Sequence, residues 1–173
     1  MRKLFICGLA GSCLVAGTPK GNIVAFKANK ILGTKYIWGG NSMRNGLDCS
    51  ALVQQIYKRL GYSLPRTAEA QATKTKECPM IRKLSDTMIG DALYFKNNQG
   101  KIHHVAIVSG FDKYGRPIIT HAKGKKYGVV RECLTDKYIS EFIGAKRFWN
   151  CRELKQNSQK KYLRPIIIKI MMN

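Results

Sequence analysis

One cysteine and three histidines carry most of the chemistry open to this chain. Asp48 is a natural helix N-cap, and Leu52, Val53, Ile56, Tyr57 and Leu60 follow it at helical spacing until Gly61. That places Cys49 at the first helical position. The free N–H groups and dipole of a helix start favour anions, so a thiolate there is expected to be stabilised and its pKa lowered. A purely structural cysteine more often sits mid-helix on the apolar face. A thiol nucleophile also needs a base, and the base needs a third group to hold it in the right tautomer. The chain has 3 histidines, His103, His104 and His121, all downstream in two neighbouring strand-like segments. Adjacent residues of a strand face opposite sides, so only one of His103 and His104 can point at Cys49. Alternation alone does not choose between them, and polar histidines on a sheet surface are the bland alternative.

The elements that must position these groups read as helices first and strands after. Residues 23–32 have apolar residues with lysines between them, which predicts a short amphipathic helix with Gly33 as its C-cap. The aromatic, glycine-broken run Tyr36-Ile37-Trp38-Gly39-Gly40 follows, and residues 41–46 read as a loop. The Cys49 helix comes next, then an alanine-rich short helix over residues 68–76. Strands are expected over residues 89–95, 103–108, 117–122 and 128–131, joined by turns at 97–100 and 112–116, with a fifth over 143–149. Helices followed by hairpin-connected strands give an α+β fold with an antiparallel sheet.

At 173 residues, with 45% hydrophobic residues, 16 glycines and 5 prolines, the chain suits one domain with a real core and short appendages. Residues 1–17 read as an export signal: Arg2 and Lys3 precede an apolar run too short to cross a membrane. Residues 9–13 loosely match the box before a lipidated cysteine, which would be Cys13. Residues 18–150 are the expected domain, and 151–173 a basic tail that could add an edge strand. The 31 Lys+Arg against 10 Asp+Glu give a net charge of +21, which favours polyanionic partners, nucleic acid or anionic envelope polymers among them. The 6 cysteines show no metal-ligand spacing, so neither a metal nor any other cofactor is expected. Cys49, Cys78, Cys133 and Cys151 allow a disulfide in an oxidising compartment, with the pairing left open.

Six ordered segments together resemble the NlpC-type cell-wall cysteine peptidases, compact relatives of the papain-like fold. They are Tyr-x-Trp-Gly-Gly from Tyr36, Leu-Asp-Cys-Ser-Ala-Leu-Val from Leu47, and Leu-Pro-Arg-Thr from Leu64. Gly-Asp-Ala-Leu-Tyr-Phe from Gly90, His-His-Val-Ala-Ile-Val-Ser-Gly from His103 and Ile-Thr-His-Ala from Ile119 complete the set. The resemblance implies N-terminal helices packed on an antiparallel sheet. It implies Cys49 as nucleophile, His104 as general base and His121 as the orienting third residue. It further implies Tyr36, Asp48 and Ser50 along the substrate groove, where Asp48 and Ser50 can meet a free amino group. Ala51 stands where the family usually has glycine, and His103 where it often has another residue, which leaves a swap between the two histidines open.

The activity implied is hydrolysis of peptidoglycan stem peptides at the γ-D-glutamyl bond to a diamino acid, meso-diaminopimelate or lysine. A basic enzyme exported to the envelope would also be held by anionic wall polymers, and no nucleic acid partner is expected. The same trio also serves wall amidases, acyltransferases and antibacterial toxins. A non-catalytic, basic envelope-binding protein is the reading that needs no chemistry.

Overall fold

Thr18 and Pro19 start the first helix. The Thr18 hydroxyl accepts from Gly21 N, and proline at the first helical position gives up an N–H that had no partner there anyway. In the computed structural model, which describes residues 18–151, this helix is α1 (Pro19–Asn29). It begins four residues earlier than the apolar spacing suggests, and it turns a different face inward. Gly21, Val24, Ala25 and Ala28 are buried while Ile23 and Phe26 are exposed. Close approach selects the small residues: a Cβ on Gly21 would lie 2.1 Å from the Ile89 carbonyl oxygen.

The stretch read as a loop folds into a minimal hairpin, β1 (Asn41–Ser42) with β2 (Gly46–Leu47). The helix that follows, α2 (Cys49–Lys58), buries Leu52, Val53, Ile56 and Tyr57 as their spacing predicts. Next come α3 (Ala68–Thr73) and the short strand β3 (Met80–Ile81).

The sheet is built from β4 (Ala92–Lys96), β5 (Ile102–Phe111), β6 (Pro117–Gly124) and β7 (Gly128–Cys133), an antiparallel meander. The chain then forms α4 (Asp136–Glu141), a helix that the apolar pattern did not announce, and returns as β8 (Phe142–Lys146) along the far side of β4. The fifth expected strand, over 143–149, thus forms but ends at Lys146, and residues 148–150 form a 3-10 turn instead. The full order is β3-β8-β4-β5-β6-β7. This is the expected α+β arrangement of helices on an antiparallel sheet.

Two layers of core result. Val105 and Ile107 of β5 pack with α1, α2 and Cys49, while their alternates Ala106 and Val108 pack with Leu93, Phe95 and Ile119, flanked by Tyr138 of α4. A disulfide joins Cys78 to Cys151 and ties the connector after α3 to the end of the described chain. The expected signal over residues 1–17 and most of the basic tail lie outside the described residues.

Candidate active site

The start of α2 is held by one carboxylate. Asp48 Oδ1 accepts from Ala51 N at 2.8 Å, the N-cap bond, and from Ser50 Oγ and Arg66 Nη1 at 3.0 Å each. Oδ2 accepts from Arg66 Nη2 at 2.7 Å and from Gly39 N at 3.2 Å. The guanidinium further donates to Ser50 Oγ and to the Gly40 carbonyl, both at 3.0 Å. Burial pushes the Asp48 pKa up, but the bonds from Arg66, Ala51 and Ser50 and the Arg66 charge together hold it below the ordinary carboxylate value. Asp48 thus stays ionised, caps the helix and pins the Gly39–Gly40 turn.

Cys49 occupies the first position of α2 and is buried, with 8% of its surface exposed. Here the local expectation fails. Burial pushes the thiol up to about 11. The N–H groups of Val105, Ser50 and Cys49 itself pull it down, and the Asp48 charge pushes it up again. The helix start acts as expected but loses to desolvation, so the resting sulfur is a neutral thiol. Tyr36 pairs with Leu47 across an isolated bridge. Burial raises its pKa, and the nearby Cys49 and Asp48 raise it further, which places its hydroxyl within electrostatic reach of both.

The histidines separate cleanly. His103 is exposed and lines a cleft of about 380 Å3 with Asn97, Asn98, Gln99, Lys137 and Glu141. His104 and His121 are buried, and His104 Nε2 lies 2.7 Å from His121 Nδ1. The far nitrogen of His121, Nε2, lies 3.0 Å from Glu132 Oε1, and Glu132 Oε2 accepts from Lys123 Nζ at 2.6 Å. Tyr138 covers both rings, stacked on His104 with centroids 5.6 Å apart and edge-on to His121 at 5.4 Å. Burial first, then the charges of His121, His103 and Lys137, hold the His104 imidazole well below the ordinary histidine value.

Two clusters therefore lie on either side of the Val105 peptide: Tyr36, Asp48, Cys49 and Ser50 at the start of α2, and the His104–His121 pair under α4. They meet at the Val105 peptide, whose N–H faces the Cys49 sulfur directly after His104, and at Tyr138. The Tyr138 pKa is pushed up to about 12 by burial, then by Glu132, Glu141 and Cys49, so its hydroxyl is coupled to both clusters. Sequence reasoning gave no role to Arg66, Glu132 or Tyr138. Arg66 lies inside the Leu-Pro-Arg-Thr segment, the one signal that pointed towards it; the other two lie in no motif.

The chain matches the NlpC/P60 family over residues 33–147. It is 44% identical over 84 residues to a gamma-D-glutamyl-L-lysine dipeptidyl-peptidase of Bacillus subtilis (strain 168), covering 47% of this chain and 27% of that protein. It is 33% identical over 137 residues to a gamma-DL-glutamyl hydrolase of the same organism, covering 78% of this chain and 31% of that protein. The chain thus spans less than a third of the length of these two curated relatives. The crystal structure of the NlpC/p60 domain of the peptidoglycan hydrolase SagA superposes with a TM-score of 0.59 at 25% identity, covering 73% of this chain and 97% of that one.

Proposed function

The chain belongs to the NlpC/P60 family, and on that premise we propose that it is a cysteine peptidase that hydrolyses peptidoglycan stem peptides. The bond we assign is the γ-D-glutamyl linkage to a diamino acid, meso-diaminopimelate or lysine. The observation that carries the reading is the buried His104–His121 pair at the strand position where the Cys49 helix meets the sheet. The names of the two Bacillus relatives, which share a γ-glutamyl bond, support the choice of linkage.

Cys49 is the nucleophile, His104 the general base and His121 the group that orients it. At rest both partners are neutral. As substrate enters, the Cys49 proton passes to His104 and the thiolate attacks the amide carbonyl. The N–H groups of Cys49 and Ser50 already face the sulfur, and with the Tyr36 hydroxyl they are the donors available to the oxyanion. His104 then protonates the leaving amine, and water, deprotonated by the same imidazole, releases the acyl group. Tyr36, Asp48 and Ser50 form the substrate-facing wall. A substrate amino group arriving there competes with Arg66 for the Asp48 carboxylate.

The location that such a substrate requires is outside the cytoplasm, in keeping with the export signal expected over residues 1–17. The Cys78–Cys151 disulfide is at home in an oxidising compartment, and the net charge of +21 would retain the protein on anionic wall polymers. Digesting purified sacculi and identifying the products by mass spectrometry tests the proposal. Cleaved γ-glutamyl bonds with the wild type and none with Cys49→Ala are expected; unchanged muropeptides, or equal activity in both proteins, would refute it.

A further inference from the structure

The reaction above works only if the His104 nitrogen facing Cys49 carries no proton. Nε2 of His104 is committed to His121, so the nitrogen left for the thiol is Nδ1. Whether Nδ1 is bare depends on which way hydrogen bonds run along the row Lys123–Glu132–His121–His104. That direction is set at its outer end. Burial raises the Glu132 pKa, but the bonds from Lys123 and His121 bring it below the ordinary value, so Glu132 is a carboxylate and can only accept. His121 Nε2 must therefore carry the proton in that 3.0 Å bond. Burial outweighs Glu132 and keeps the His121 pKa below the ordinary histidine value, so the ring is neutral near neutral pH. A neutral ring protonated at Nε2 has a bare Nδ1. Across the 2.7 Å contact, His104 Nε2–H is then the donor, and His104 Nδ1 is left with its lone pair.

On the reading that Cys49 and His104 form the reacting pair, we propose that Glu132 is a positioning residue: its carboxylate, locked by Lys123, sets the tautomer of both histidines and presents a bare His104 Nδ1 to the thiol. The S–H bond of Cys49 breaks, its proton joins Nδ1, and the sulfur keeps the electron pair. The resulting imidazolium donates from Nε2 to His121 in the bond already formed. Other charged or titratable groups face this row: His103 beside His104, Lys137 and Tyr138 of α4, and Glu141, which acts on Tyr138. The acceptor that His121 Nε2 meets is Glu132 Oε1.

Lys123 makes the proposal sharply testable. In Glu132→Gln the donor-only ammonium claims the amide oxygen, which turns the amide NH2 towards His121 Nε2. Both bonds made by His121 then reverse, while Lys123 still donates, and His104 is left with its proton on Nδ1. The expected loss in kcat/KM is roughly 10²–10⁴-fold, the worth of a general base. Adding Lys123→Met frees the amide to rotate its oxygen towards His121, and most of that loss is expected to return. A merely structural role for Glu132 predicts no such rescue.

The imidazole 15N shifts of the full chain decide the matter independently of turnover. The wild type should show a proton on Nε2 and a bare Nδ1 at both His104 and His121, Glu132→Gln the opposite pattern, and the double variant the wild-type pattern. A wild-type His104 protonated on Nδ1, or a Glu132→Gln protein with unchanged tautomers, overturns the proposal. The wild-type measurement holds even if the variant fails to fold. Expected tautomers in a protein that cleaves no sacculi would uphold the role of Glu132 in the row and count only against the assigned activity.

Discussion

Replacing Arg66 by alanine tests the idea that one ion pair organises the surroundings of Cys49. The side chain makes two charge-assisted bonds to Asp48, at 3.0 and 2.7 Å, and two more, to Ser50 Oγ and the Gly40 carbonyl. Two bonds to a charged partner are worth about 3–6 kcal/mol if nothing compensates. Compensation exists: Asp48 keeps its bonds from Ala51 N, Gly39 N and Ser50 Oγ, and a third of the Arg66 side chain (34%) is exposed and screened by solvent. A loss of about 2–3 kcal/mol is left, readable as a drop in urea midpoint at constant slope. The pH dependence gives a second readout. Asp48 has a depressed folded pKa, so its contribution is full above the unfolded value of about 4 and fades as pH falls through the folded one. Without Arg66 that acid decline should be shallower. Arg66→Lys should recover only part of the loss, because an ammonium cannot span both carboxylate oxygens. A loss under about 0.5 kcal/mol, with an unchanged acid limb, would refute the reasoning.

Three further outcomes are expected. Because burial pushes Cys49 up to about 11, iodoacetamide near neutral pH should label the exposed Cys133 before Cys49, and Cys49 labelling should climb steeply into the alkaline range; peptide mass mapping across pH checks this, and a fast, pH-independent reaction at Cys49 would contradict it. Cys78→Ser should lower stability by about 4 kcal/mol, the chain-entropy value for a loop closed over 73 residues, measured by denaturant titration against the oxidised parent. Binding of the Cys49→Ala protein to purified walls should weaken steeply between low and high salt in co-sedimentation, since its net charge of +21 acts through screened attraction.

What the sequence made legible was local. Asp48, Cys49 and the apolar face of α2 follow from a cap and a 3.6-residue spacing, both confined to one turn of chain after another. The meander β4–β7 was readable for the same reason, its turns being written in Asn97–Gly100 and Asp112–Arg116. The failures all cross the chain. Ile23 and Phe26 have the right character for a buried helix face, but the close approach of Gly21 to Ile89 turns Val24, Ala25 and Ala28 inward and leaves those two outside. The Cys49 pKa follows the helix start locally, yet desolvation by β5 and the rest of the core decides it. Glu132 meets its histidine from the neighbouring strand, 11 positions away, and Arg66 its carboxylate across 18. The helix α4, with six residues and none of them buried, has no apolar period to detect, although it brings Tyr138 over the histidine pair.

The carboxylate of Asp48 has one more consequence. It is at once the cap of the Cys49 helix, through Ala51 N, and the anchor of the turn that follows the exposed Trp38, through Gly39 N. Arg66 closes the same turn by holding the Gly40 carbonyl. A cation that displaces the guanidinium therefore releases the turn at one point and changes the helix cap at another. By linkage, whatever stiffens the turn must weaken that cation's binding by the same factor. The order of the Gly39–Gly40 turn and the cap of the Cys49 helix are thus one equilibrium, with a single carboxylate as its pivot.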